Sequence, residues 1–119
     1  MELKNLVEQC HETAKEKGFW DKDRNVGELL MLVVSELGEA IEAHRKGRFT
    51  DFDMYNQLLK DGWEFKSLFE TEIKDQFEDE ICDTFIRLFD LCGGLGIDIE
   101  KHIELKMKYM EKNTKKENN

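Results

Sequence analysis

The chain has 119 residues and a formal net charge of −9, from 27 acidic and 18 basic side chains. That length allows one domain with a modest core, and the acidic balance weighs against binding nucleic-acid polymers or anionic membranes. With no proline and 38% charged residues, the composition favours helices, which tolerate Glu and Lys and break at proline.

Residues 2–17 read as a first helix with Leu3, Leu6, Val7, Cys10 and Ala14 on one face, closed by Gly18. An irregular link, FWDKDRN, follows; Phe19 and Trp20 in it either pack onto the core or offer Trp20 for stacking a ligand base. Asn25 is placed to cap a second helix over 26–46, which two cations and Gly47 close. Asp51 can begin a short third helix over 52–59. A long fourth helix is expected over 66–92, stopping at Gly93-Gly94, and a fifth begins near Asp98 with Ile99, Ile103, Met107 and Met110 on its apolar face. The expectation is an all-α bundle of four to five helices in one domain over 1–113, with a polar tail, 114–119, that frays.

Cys10, Cys82 and Cys92 form no CxxC pair, and the apolar neighbours of Cys82 and Cys92 mark those two as buried, reduced thiols. No leader-like segment opens the chain, and no apolar run approaches the roughly 18 residues of a spanning helix. A cytoplasmic location is therefore expected. The histidines lack the paired ExxH spacing of a di-iron bundle and read as surface or capping residues.

The chemistry concentrates in two acidic pairs. Each helical residue turns by about 100°, so on the second helix Leu29, Leu32, Val33, Leu37, Ala40, Ile41 and Ala43 spread over one apolar arc. Glu36 falls inside that arc and Glu39 at its edge, although Glu28, Ser35 and Glu42 show that a solvated side was available. On the fourth helix Glu80 and Asp83 repeat the spacing at the margin of an arc formed by Ile73, Phe77, Ile81, Thr84, Leu88 and Leu91. An unpaired buried carboxylate costs several kcal/mol or takes up a proton. Arg87, one turn beyond Asp83, can pair with Asp83, but one guanidinium cannot satisfy four acids. A hard divalent cation, Mg²⁺ or Mn²⁺, can. A single such pair on a charged helix is ordinarily just solvated; two, both turned toward apolar faces, point to a metal site.

The stretches LVVSELGEAIEAHRKG and IKDQFEDEICDTFIRLFDLCGGLGIDIEKHIELKMKYM resemble the MazG-like, all-α nucleoside triphosphate pyrophosphohydrolases, whose ExxE and ExxD motifs match Glu36, Glu39, Glu80 and Asp83. The resemblance spans about residues 19 to 110. It implies cleavage of a nucleoside triphosphate to the monophosphate and pyrophosphate, with the four acids as catalytic metal ligands for Mg²⁺. It also implies a homodimer or homotetramer. Lys106, Tyr109, Arg87 and Trp20 are the residues expected near substrate; Lys106 can meet a phosphate or simply cover apolar surface with its stem. Met110 and Asn113 stand where that family usually has Asn and Arg. The contrasting expectation is a non-catalytic helical interaction module that keeps the fold and the acidic site.

Overall fold

A computed structural model describes the backbone of residues 2–117 and the side chains of residues 2–112. The expectations placed on Asn113 and on the tail 114–119 lie outside the described side chains. Among the described residues the protein is all-helical, in the order α1 (Leu3–Glu16), α2 (Val26–Arg45), α3 (Phe52–Lys60), α4 (Phe65–Glu72), α5 (Phe77–Leu95) and α6 (Ile99–Glu117). No described helix is long and apolar enough to cross a membrane.

Local chemistry sets the helix starts. Asn25 Oδ1 accepts the Glu28 amide at 3.2 Å, Asp51 Oδ1 the Met54 amide at 3.0 Å, and Asp98 Oδ1 the Lys101 amide at 3.1 Å. Each cap satisfies one of the orphan N–H groups that a helix leaves at its N-terminus.

The expected long fourth helix is instead two, α4 and α5, and this raises the count to six. The apolar positions Phe69, Ile73, Phe77 and Ile81 recur every four residues, a helical spacing that hides the break. Asp75 makes it, with φ at +67°, a conformation short polar side chains tolerate. Its amide donates to Asp79 Oδ2 at 3.1 Å, and the Phe77 amide donates to the Arg48 carbonyl at 2.8 Å. The Thr50 amide in turn reaches Glu78 Oε1 at 2.9 Å. The start of α5 is thus fastened to the segment that follows α2.

The expected stop at Gly93-Gly94 is also corrected. Both glycines are inside α5, which ends at Gly96 (φ +68°), with the Ile97 amide returning to the Cys92 carbonyl at 2.9 Å. A Cβ on Gly93 would lie 2.6 Å from His11 Cβ, and one on Gly94 would lie 2.3 Å from the Trp20 ring. These glycines permit close approach; they do not terminate the helix.

The described residues group into two units. Residues 23–88 contain α2, α3, α4 and the first part of α5. Leu29, Val33, Ala40 and Ala43 are buried along α2, Leu68 on α4 and Thr84 on α5, and α3 packs on α4. His44, Phe49 and Phe77 form a mutual edge-to-face aromatic cluster. Leu37 and Ile41, expected within the apolar arc, are 43% and 63% exposed, so the buried stripe of α2 is narrower than the arc. Cys82 is exposed, contrary to expectation, whereas Cys92 is buried.

The second unit joins residues 1–22 to 89–119. Here α1 meets α6, and Val7, Leu91 and Cys92 are buried. Buried Asp90 accepts from Trp20 Nε1 at 2.8 Å and pairs with His11 Nδ1 at 2.9 Å. His11 is therefore an internal partner and not a surface or capping histidine. Of the expected apolar face of α6, Ile99 is half-buried, while Ile103, Met107 and Met110 are exposed.

The glycines give a paired test. Gly38, on α2, would meet nothing within 4 Å of an added Cβ, so Gly38→Ala should stabilise by about 1 kcal/mol through helix propensity. Gly94→Ala gains the same propensity but overpacks against the Trp20 ring, an effect that typically costs about 1–3 kcal/mol. Urea unfolding should show the midpoint rising for the first and falling for the second; equal stabilisation would contradict the close Trp20 contact.

Candidate metal centre

The second and fifth helices bring the acidic pairs together within the unit of residues 23–88. Carboxylate oxygens of Glu36, Glu80 and Asp83 lie within 4.8 Å of one another. Glu36 faces the buried stripe of α2 because it falls in register with Leu29, Val33, Ala40 and Ala43. Glu80 is only 4% exposed, deeper than the margin its wheel position indicated. Glu39 is exposed but close enough to Glu80 to share a proton with it. When ionised, both groups are acceptors, so that contact is a hydrogen bond only while a proton sits between them. Glu80 Oε2 is buried and accepts no hydrogen bond.

Arg87 does not take the expected partner. Its Nε donates to Glu36 Oε1 at 2.8 Å, across to α2, instead of pairing along its own helix with Asp83. Its charge still acts favourably on ionised Asp83, but among the described residues no ion pair is made with Glu80.

The protonation states follow from this imbalance. Burial, then the proton-sharing contact with Glu39, then repulsion from Glu39, Asp83 and Glu36 push Glu80 up to about 8. Burial, then repulsion from Asp79 and Glu36, raises Asp83 to about 6, with Arg87 opposing. Asp79 is a fifth acid that reading by motif passes over. Its signal was present, because Asp79 and Asp83 are four residues apart and so share a helix face.

This donor set fits a hard divalent ion. It supplies oxygen ligands only, converging from two helices, with an orphaned buried carboxylate oxygen and too few cations. Glu36, Glu80 and Asp83 would hold the ion, with Glu39 beside them. Of the other residues expected near substrate, Trp20, Lys106 and Tyr109 belong to the unit formed by residues 1–22 and 89–119. There Trp20 commits its indole N–H to Asp90, and the Lys106 ammonium sits 5.5 Å from the Tyr109 ring centre, both side chains being exposed. No family model matches the chain, and no curated protein or solved structure matches it either.

The raised carboxyls set the direction of pH dependence. A carboxyl at about 8 in the folded chain, against its ordinary 4.5, makes the folded state bind more protons than the unfolded state between those values. The stabilisation is complete below about pH 4.5 and disappears as pH rises through about 8; Asp83 adds the same trend between 3.8 and about 6. The thermal midpoint without metal should therefore fall by several degrees from pH 5 to pH 8.5. Glu80→Gln should flatten that fall, and millimolar Mg²⁺ should raise the midpoint more at pH 8 than at pH 6. A midpoint that climbs across this range would refute the assigned burial of Glu80.

Proposed function

We propose that the protein is a Mg²⁺-dependent nucleoside triphosphate pyrophosphohydrolase of the MazG-like kind, releasing pyrophosphate and a nucleoside monophosphate. The observation that carries this reading is the convergence of Glu36, Glu80 and Asp83 within 4.8 Å, with Glu80 buried and lacking a cation. When bound there, the ion supplies charge neutralisation for phosphate oxygens and makes water more acidic. The rest falls to the chain itself. Glu36 and Asp83, on facing helices, fix the distance between the two ligand pairs. Glu39 is the member of the set open to solvent, so its carboxylate is the group placed to take the proton of an attacking water. That water's oxygen bonds to the α-phosphorus as the bond from phosphorus to the bridging oxygen breaks, and pyrophosphate departs with the electron pair. No covalent enzyme intermediate is needed, in keeping with a site built from carboxylates alone.

A panel of ribo- and deoxynucleoside triphosphates, assayed for pyrophosphate with and without Mg²⁺, tests the activity. Release from at least one, only with the metal, is expected; none from any well-folded preparation would sink it. Glu39→Gln should lower kcat by roughly 10²- to 10⁴-fold, the range for loss of a general base. Asp83→Asn should abolish the Mg²⁺-dependent release, and both should leave the helical circular dichroism unchanged.

The alternative is a non-catalytic interaction module that keeps the fold and the acidic site. It draws support from Met110 and Asn113 standing where the resembled family has Asn and Arg. Binding of Mg²⁺ and triphosphate without any turnover would favour it.

A homodimer or homotetramer belongs to the same proposal. On α2, Leu30, Val34, Leu37 and Ile41 recur at alternating spacings of four and three and are all exposed. They lie about 110° around the helix from the buried stripe, as a seam of the coiled-coil kind. A second copy presenting the same stripe would cover it. Light scattering should give at least twice the 14.1 kDa chain mass, and Leu30→Glu with Ile41→Glu should return the protein to monomer. A monomeric wild type would overturn this part of the reading.

A further inference from the structure

The contact that departs most clearly from the sequence expectation is Arg87 on Glu36. The guanidinium touches the carboxylate through Nε at 2.8 Å, with the Arg87 side chain 36% exposed and that of Glu36 only 11%. Arg87 shows no other hydrogen bond or ion pair among the described residues. Its two terminal nitrogens, which carry four of the five N–H donors of an arginine, are thus uncommitted beside a group of acids. Glu36 meanwhile contributes to the triplet of oxygens within 4.8 Å, so arginine and divalent ion would draw on the same carboxylate.

We infer that Arg87 is the resident counter-cation of this cluster: it occupies Glu36 without metal, yields that carboxylate to the ion, and presents its guanidinium to a phosphate of the substrate. The inference rests on the metal-site reading above and adds a residue that acts on both metal and phosphate. Geometry favours exchange over a fixed strut. The arginine end of the pair is solvent-accessible, so releasing it exposes a charge already partly hydrated, whereas Glu36 must keep a cationic neighbour. Asp83, four residues before Arg87, is itself one of the triplet and offers no spare carboxylate once the ion is held. The nearest suitable acceptor is then a phosphate oxygen, whose geometry the planar guanidinium matches with two parallel donors. Glu80 remains the acid without a hydrogen-bonded cation, since the ion pair of Arg87 goes to Glu36.

The test uses the full chain and two probes that carry no nucleobase. Calorimetry would give the Mg²⁺ dissociation constant for wild type, Arg87→Met and Arg87→Lys, and then that of inorganic tripolyphosphate at saturating Mg²⁺. Removing the competing charge should tighten Mg²⁺ binding to Arg87→Met by about tenfold and weaken tripolyphosphate by at least tenfold. Arg87→Lys, which keeps a charge but loses the fork, should leave Mg²⁺ closer to wild type and still weaken tripolyphosphate. It also carries the test if the methionine variant does not fold. A purely structural arginine would give the opposite sign for the metal, so unchanged or weaker Mg²⁺ binding in Arg87→Met overturns the inference while leaving the metal site standing. Unchanged tripolyphosphate affinity in both variants overturns the phosphate half. Absence of Mg²⁺ binding in all three proteins removes the metal reading and this inference together; binding that emerges only in a variant supports it.

Discussion

The cost of burying Glu80 is the constraint around which the acidic region is organised. A carboxylate that is 4% exposed, without a cation beside it, must hold a proton or meet a metal. Neither outcome is forced on an acid on a freely mobile segment, which would turn to water and stay ionised. Glu80 cannot turn, because it is one helical turn from Phe77, whose amide is held by the Arg48 carbonyl and whose ring packs on His44 and Phe49. The break at Asp75 therefore has a positional consequence: it lets α5 start where the segment after α2 can grip it. Two helices are locked in a mutual register, and that register brings Glu36 against Glu80 and Asp83.

Much of this was legible because its causes are local. Caps at Asn25, Asp51 and Asp98 are short-range hydrogen bonds, and the all-α class follows from apolar periodicity and the lack of proline. The facing acids were visible as two pairs at the same spacing on two apolar helices. What stayed hidden depends on residues far apart in the chain. Nothing near Gly94 announces that Trp20 will lie against it, so a pair of glycines reads as a helix end. Asp90 gains its two partners from positions 70 and 79 residues away, and His11 accordingly looked superficial. Asp83 is the partner that the sequence offers Arg87, because only positions on its own helix can be counted along the chain.

The apolar residues show the same limit from the other side. A helical wheel ranks positions by direction, but it does not say how wide a stripe the rest of the fold covers. On α2 the covered stripe is narrow enough to admit Glu36 and to leave Leu37 and Ile41 outside. A helix with one buried face and a second apolar stripe has two things to bury, and a chain of this length covers only the first on α2. Polar replacements along the second stripe would cost little fold stability.

The carboxylate cluster works against the stability of the fold that holds it. Replacing a buried unpaired acid by an apolar side chain of similar volume is commonly neutral or stabilising, so Glu80 is not explained by folding. Arg87 moderates the conflict only in part, because it reaches Glu36 and, more weakly, Asp83, but leaves Glu80 unserved. A cluster meant only to be stable would carry a second cation or shed an acid. With a divalent ion added, one guanidinium and a double charge would offset the three carboxylates of the triplet and leave Glu39 and Asp79 as the surplus acids. On the proposed reading, that partial neutralisation is what a polyanionic substrate would need in order to approach an otherwise strongly acidic chain.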